Sequence, residues 1–247
     1  MINASPDVHA QLEAIAPSRS EDVRESPIAG ALLTDAEIDH TAGLLLMRES
    51  SSPVRVFGSA EVGRALRDVF PVLSILDRYC GVEWQTLDPG CPSALEGSSL
   101  VVEPFLVGGD APRYLGGSDA LFPATGFVFS DRAGRGVATC VPGLSRLDDA
   151  VLSRFAISDL VLVDGTFWSD DELPSLGISS CTAGELGHVP LSGGDGMLAA
   201  LARLERPRKA LIHINNTNPV LLEDSPEREA VRRASVEVAY DGLEIEL

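Results

Sequence analysis

The chain has few lysines, few cysteines and little basic charge, and the last two shortages restrict its crosslinks and its partners. Lys209 is the single lysine beside eighteen arginines, a bias that we attribute to genome composition. Nineteen basic residues face 37 acidic ones, and the formal net charge of −18 repels nucleic acids and anionic lipid surfaces. The four cysteines form no CxxC pair, so nothing demands disulfides. We therefore expect no nucleic-acid partner and no disulfide framework.

Long apolar runs are missing as well. No stretch of about eighteen consecutive apolar residues occurs, and no basic and apolar signal segment is visible. We therefore expect no membrane partner and a cytoplasmic location. The 247 residues, 45% of them hydrophobic, suffice for one large domain over 1–247.

Short apolar runs alternate with helical patterns and predict α/β layers. The predicted strands are 28–33, 54–57, 82–87, 99–106, 126–130, 136–141, 159–163, 209–214 and 236–245. The predicted helices are 40–49, 60–76, 146–155, 196–204 and 226–234. Ser225 before Pro226, and Ser145 three residues before Asp148, predict helix N-caps. The Gly-, Pro- and Ser-rich stretch 88–98 predicts a surface loop.

The densest polar cluster follows the first apolar run. Asp35, Glu37 and Asp39 are spaced by two, so in an extended segment their carboxylates would share one side and repel unless a cation intervenes. Thr34 and Glu37 also fit a capping box, which is the structural alternative. A helix cap requires neither Asp39 nor His40, so the cluster favours a metal or catalytic site.

Three later motifs each follow an apolar strand, where loops at the carboxyl ends of a sheet commonly build sites. They are VDGTFW at 163–168, GHVPLSGG at 187–194 and HINNTNP at 213–219. Each has a structural alternative: Asp164 in a turn, His188 as a helix cap, and His213 as an ordinary strand residue. Their joint arrangement after the early acidic cluster favours a shared site.

At this point five segments carry a family resemblance. They are NASPD at 3–7, SPIAGALLTDAEIDHTAGL at 26–44, VDGTFW at 163–168, GHVPLSG at 187–193, and IHINNTNPVLLEDSPERE through VAYDGLEI at 212–245. They resemble the PqqB family, accessory proteins of pyrroloquinoline quinone (PQQ) biosynthesis in the metallo-β-lactamase superfamily. The resemblance implies an αββα sandwich, with two mixed sheets face to face, helices outside and a metal at one edge.

The resemblance also shows what this chain lacks. The first strands of the family fold and its N-terminal cysteine-rich segment have no counterpart, so we expect no structural zinc. Missing strands expose a sheet edge, and such an edge invites pairing with another chain. We therefore expect a homodimer or a partner chain to cover it.

The superfamily's first metal motif, HxHxDH, matches Asp35-x-Glu37-x-Asp39-His40. Both leading histidines are carboxylates here, which shifts preference from zinc towards iron or manganese. His213 matches the last histidine ligand of the superfamily. The resemblance thus implies that Asp35, Glu37, Asp39 or His40, together with His213, hold a metal.

Asp164 and His188 match positions where related enzymes place proton-transfer residues, so we expect catalytic roles for both. The superfamily usually supplies a further histidine between these motifs, yet none occurs from Thr41 to Gly187. A two-metal hydrolase centre is therefore not expected.

The function that the resemblance implies is an iron-dependent hydroxylation of a tyrosine-derived PQQ precursor. Fe(II) is the expected cofactor, with Zn or Mn as the other candidates. The expected partners are a Glu-Tyr peptide-derived substrate and other PQQ biosynthesis proteins. A non-catalytic binder or carrier for transport of PQQ or its precursor is the first alternative, and a metal-dependent hydrolase is the second.

Overall fold

The computed structural model describes residues 1–15, 28–109, 111–116, 122 and 124–247. Its helices are α1 (Val8–Ile15), α2 (Ile38–Thr41), α3 (Ala60–Asp68), α4 (Val72–Leu76), α5 (Asp149–Ile157), α6 (Glu172–Ser175), α7 (Met197–Leu201) and α8 (Pro226–Arg233). Its strands are β1 (Ala31–Leu32), β2 (Val54–Gly58), β3 (Val82–Thr86), β4 (Ser93–Ala94), β5 (Leu100–Gly108), β6 (Ala124–Asp131), β7 (Val137–Val141), β8 (Leu160–Asp164), β9 (Arg208–Ile212) and β10 (Glu237–Val238). Short 3₁₀ helices cover Ala42–Met47, Arg113–Leu115, Gly184–Leu186 and Pro219–Leu221.

Two sheets organise these strands. The first has the order β1-β2-β3 and the second the order β10-β9-β8-β7-β6-β5-β4. All pairs in the first sheet are parallel, as are the pairs from β7 to β10 in the second. The pairs from β4 to β7 are antiparallel. Parallel neighbours end at the same edge of a sheet, so the loops after β7, β8 and β9 meet there.

The sheets pack face to face. Leu32 and Phe57 of the first sheet lie in one buried cluster with Val102 and Phe127 of the second. The outer face of the first sheet packs against α3 and α4, and that of the second against α5, α7 and α8. A strand buried on both faces is apolar on both, as β8 is from Leu160 to Val163. The predicted αββα sandwich is confirmed.

Some predicted elements have different bounds. The helix predicted over 60–76 is wrong, because α3 ends at Asp68 and a new helix begins after Pro71. Proline lacks the amide proton that a continuous helix needs, and it disfavours helical backbone at Phe70 before it. The strand predicted over 236–245 is reduced to β10, and the loop predicted over 88–98 contains β4.

Of the two predicted helix caps, one is confirmed and the other is wrong. The Ser225 hydroxyl accepts a hydrogen bond from the Arg228 amide at 2.9 Å and caps α8, as predicted. The cap predicted at Ser145 is wrong, because Asp148 caps α5 by accepting from the Val151 amide at 3.0 Å.

The first residues of the chain pack beside residues 35–40, the acidic motif that ends in His40. The Asn3 amide donates to the Leu32 carbonyl at 2.8 Å, and the Ala4 amide donates to the His40 carbonyl at 2.6 Å. The Gly43 amide in turn donates to the Ala4 carbonyl at 2.9 Å. Within the second family-like segment, residues 26–27 lie outside the described residues.

The described helices are all too short or too polar to cross a bilayer. The single domain over 1–247 stays a prediction.

Candidate metal centre

Three side chains from two distant parts of the chain converge at one edge of the sandwich. His40 Nε2, on α2, lies 2.9 Å from His213 Nε2, directly after β9. Asp39 Oδ2 lies 4.0 Å from the first nitrogen and 3.8 Å from the second. The structure thus brings together Asp39, His40 and His213 of the predicted metal ligands, as a group able to hold an ion.

Asp35 lies behind His40 and orients its ring. Its buried carboxylate accepts from His40 Nδ1 at 2.7 Å, from the Thr34 hydroxyl at 2.6 Å and from the Glu37 amide at 2.9 Å. The capping-box alternative is wrong, because α2 begins after Glu37 with no side-chain cap. Burial alone would raise the pKa of Asp35, but the His40 imidazole outweighs it and lowers the pKa.

Glu37 is exposed and lies outside the group formed by Asp39, His40 and His213. Burial of part of its carboxyl group and the nearby carboxylates of Asp35 and Asp39 raise its pKa. Its side chain therefore adds negative charge at the protein surface beside the ligand group.

His213 is held in a backbone conformation that few residues adopt. Its φ of 55° lies in the left-handed region, so the chain turns sharply as it leaves β9. Its Nδ1 atom lies 2.7 Å from the Thr166 hydroxyl. Burial alone would lower the pKa of His213, but the Asp164 and Asp39 carboxylates outweigh it and raise the pKa to about 10.

Asp164, at the end of β8, is fully buried and accepts several hydrogen bonds. Its Oδ1 atom accepts from the Thr166 amide at 3.0 Å and the Thr166 hydroxyl at 2.5 Å. Its Oδ2 atom accepts from the Leu144 amide at 3.0 Å and from His188 Nδ1 at 2.6 Å. Burial alone would raise the pKa of Asp164, but His188 and His213 outweigh it and hold the pKa well below its usual range.

His188 completes the site. Because its Nδ1 atom is bonded to Asp164, its Nε2 atom points away from that carboxylate, and the half-buried ring stacks on His213 at 5.5 Å. The catalytic roles predicted for Asp164 and His188 stay a prediction, and the structure places the two side chains in contact.

Several residues that tie the loops together were not predicted. The buried Glu172 carboxylate accepts from the Trp168 amide at 2.6 Å and from the Thr217 hydroxyl at 2.5 Å. The Asn218 amide group donates to the Gly165 carbonyl at 2.8 Å. Thr217 and Asn218 lie in the motif HINNTNP at 213–219, which the sequence does single out. Nothing in the sequence distinguishes Glu172 from its acidic neighbours.

The donor set fits a metal ion. His40 Nδ1 faces the Asp35 carboxylate and His213 Nδ1 faces the Thr166 hydroxyl, so both Nε2 lone pairs point at one another when the rings are neutral. Only a cation or a proton stabilises that arrangement. Two nitrogens about 2.1 Å from one ion lie about 3 Å apart when their bonds meet at a right angle. The Asp39 side chain is 66% exposed and can turn towards the same ion.

A second group, Asp164, His188 and His213, also lies within metal-binding range. Both oxygens of Asp164 are already occupied by hydrogen-bond donors, and His213 Nδ1 faces Thr166. The geometry therefore favours one ion at the first group.

A cavity of about 480 Å³ borders the ligand group. Its apolar wall comes from Ile2, Val8, Leu12, Leu162 and Ile212. Asp39, His40 and His213 line the same cavity.

Comparison with known proteins gives one family. The model for the β-lactamase superfamily domain matches residues 1–214. The chain is 43% identical to Coenzyme PQQ synthesis protein B of Cupriavidus taiwanensis, covering 100% of this chain and 83% of the relative. It is 41% identical to the protein of the same name from Methylococcus capsulatus, with the same coverage.

Solved structures agree. The crystal structure of Zn(2+)-bound PqqB from Methylobacterium extorquens matches with a TM-score of 0.89 and 32% identity, covering 100% of this chain and 82% of that one. A diphosphatase of the PhnP family matches with a TM-score of 0.63 at 19% identity, which shows the shared fold alone. The chain belongs to the PqqB family and has the metallo-β-lactamase fold.

Proposed function

We propose that this chain acts in PQQ biosynthesis as a metal-dependent oxygenase that hydroxylates a tyrosine-derived precursor. Asp39, His40 and His213 would hold one Fe(II) ion. The observation that carries the proposal is the pair of imidazole Nε2 atoms 2.9 Å apart with a carboxylate beside them. Two histidines and one carboxylate are the ligand set of non-heme iron oxygenases, in which bound iron activates dioxygen.

The surrounding residues support this role. Asp35 keeps the His40 ring oriented, as carboxylates behind metal-bound histidines commonly do. The Asp164 carboxylate fixes His188 Nδ1, so we assign His188 Nε2 as the group that accepts or returns a substrate proton. The apolar cavity beside the ligands suits an aromatic ring.

The proposal extends to partners and place of action. A Glu-Tyr unit released from a peptide precursor is the proposed substrate, and the other proteins of PQQ biosynthesis are the proposed partners, in the cytoplasm. Manganese and zinc compete for the same ligands. Zinc is the ion in the Methylobacterium extorquens relative.

Metal binding is the first test. We would purify the protein anaerobically and titrate Fe(II) and Zn(II) by calorimetry into wild type, Asp39→Ala and His213→Ala. We expect about one ion per chain in wild type and at least a hundredfold weaker binding in both variants. His9→Ala is the control, since His9 is exposed and pairs with Glu13 at 3.7 Å. Circular dichroism of each variant verifies folding.

Turnover is the second test. With a two-electron reductant such as ascorbate supplied, we expect the Fe(II) protein to consume dioxygen in the presence of Glu-Tyr compounds. One oxygen atom should enter the tyrosine-derived ring and raise the product mass accordingly, while the other leaves as water. Metal binding that survives in both variants would overturn the ligand assignment. Specific binding of PQQ or its precursor without dioxygen consumption would favour the binder or carrier instead.

A further inference from the structure

The Thr166 hydroxyl lies between the two functional groups of the site. Its Oγ1 atom is 2.5 Å from Asp164 Oδ1, 2.7 Å from His213 Nδ1 and 2.9 Å from the His213 carbonyl oxygen. Thr166 is buried, so no solvent competes for these positions. The hydroxyl thus contacts both the metal-ligand candidate His213 and the carboxylate of the Asp164–His188 pair.

Proton counting fixes the direction of each bond. A threonine hydroxyl carries one proton and two lone pairs, and both the carboxylate and the carbonyl oxygen are acceptors. The hydroxyl proton therefore goes to one of them, and the charged Asp164 oxygen at 2.5 Å is the stronger acceptor. Towards His213 the hydroxyl can only accept. His213 must then carry a proton on Nδ1, which leaves Nε2 of the neutral ring free.

We propose that Thr166 is a positioning residue that holds His213 in the tautomer whose Nε2 atom binds the metal. The inference rests on the proposed function, since it assumes that His213 is a ligand. It extends the hydrogen-bonded chain from His213 through Thr166 and Asp164 to His188.

The backbone around Thr166 is held independently of its side chain. The Asn215 amide donates to the Thr166 carbonyl at 3.1 Å, and the Asn218 side chain donates to the Gly165 and Thr166 carbonyls at 2.8 and 3.3 Å. Loss of the hydroxyl should therefore change the partner of His213 and leave the loop in place.

Thr166→Val removes the hydroxyl with little change of shape, while Thr166→Ser keeps it. In Thr166→Val, His213 Nδ1 loses its acceptor, so the ring gains by carrying its proton on Nε2, which blocks the metal. Loss of such an outer partner typically lowers metal affinity by about 10- to 100-fold. We expect that loss in Thr166→Val and recovery to within about threefold in Thr166→Ser.

Thr139→Val is the matched control. Thr139 is a buried threonine on β7 whose hydroxyl bonds the Ser158 hydroxyl at 2.7 Å, away from the ligand group. A general cost of removing a buried hydroxyl would appear in both valine variants. A tautomer effect would appear in Thr166→Val alone.

The measurement is Zn(II) affinity by competition with a chelating dye, combined with nuclear magnetic resonance of zinc-loaded protein labelled at histidine nitrogen. We expect the His213 Nδ1–H resonance in wild type and Thr166→Ser, and its shift or loss in Thr166→Val. Equal zinc affinity in wild type and Thr166→Val would overturn this inference and leave the ligand set standing. Absence of both Fe(II) and Zn(II) binding in wild type would overturn the proposed function and this inference with it.

Discussion

The two sides of the metal centre are built in different ways. On the first side, the groups that orient His40 through Asp35 are separated by five residues or fewer in sequence. On the second side, the contacts that join Asp164 to His188 and Thr166 to His213 span 24 and 47 residues. The first side is a local turn, whereas the second exists only when β8 and β9 lie side by side. Damage to the second side should therefore disturb the fold more than damage to the first.

Replacement of Asp164 should have the largest effect. In Asp164→Asn, an NH2 group replaces one oxygen of a fully buried carboxylate. This new hydrogen-bond donor then faces the donors of Thr166 or His188. Breaking such a buried charged network costs about 3–5 kcal/mol. Urea unfolding of the metal-free protein, followed by circular dichroism, measures the loss.

Asp39→Asn is the comparison within the same centre. Its side chain is 66% exposed, so we expect a loss of less than about 1 kcal/mol in the metal-free protein. Equal losses for Asp164→Asn and Asp39→Asn would contradict the distinction between the two sides.

Gly43→Ala tests how far the side of the centre that contains His40 depends on the first residues of the chain. A Cβ atom at this position would lie 1.9 Å from the Ser5 carbonyl oxygen and 2.7 Å from that of Ala4, so the first residues of the chain must move. Overpacking of this kind costs about 1–3 kcal/mol. The same urea assay measures it.

Gly194→Ala is the matched control, because a Cβ atom there meets nothing within 4 Å. If both glycine variants unfold at the same urea concentration, residues 1–5 do not support the acidic motif.

Asp35→Asn should weaken metal binding with a smaller effect on folding. An asparagine amide that faces His40 Nδ1 favours the tautomer protonated on Nε2, which competes with the metal. We expect Zn(II) affinity to fall by about 10- to 100-fold. Glu37→Gln should leave the affinity within about threefold, since Glu37 lies outside the ligand group. A loss in Glu37→Gln as large as in Asp35→Asn would restore Glu37 as a ligand.

The smallest predicted effect concerns the cysteines. Burial raises the pKa of the Cys140 thiol, on β7, to about 12, so it carries no thiolate near neutral pH. Cys91 is exposed. Iodoacetamide at pH 8 should therefore modify Cys91 within minutes and Cys140 only after unfolding, as mass spectrometry would show. Simultaneous modification would mean that the second sheet opens readily near the site.

Much of the fold follows from local pattern. Alternating apolar runs located nine of the ten strands among the described residues, and the missed strand, Ser93–Ala94, has only two residues. Within each sheet every strand pairs with its neighbour in chain order, but the division of the strands into two sheets between β3 and β4 leaves no mark in the local pattern.

The candidate site was likewise predicted only in part. The motif from Asp35 to His40 could be recognised from residue types alone, but the expectation that Asp35, Glu37 and Asp39 share one side differs from the structure. Asp35 is buried while Glu37 and Asp39 are exposed, because the segment turns into α2 instead of staying extended. Spacing by two has directional meaning only in a strand.

Residue types and local pattern establish which chemical groups are present and which segments carry them. These segments are the acidic motif with His40, the end of the strand at Asp164, and the loops with His188 and His213. Folding adds the pairing of His188 with Asp164 and the position of the Thr166 hydroxyl between Asp164 and His213. The reason is physical. Hydrogen-bond partners 24 to 47 residues apart are chosen by sheet register and burial, which no local pattern contains.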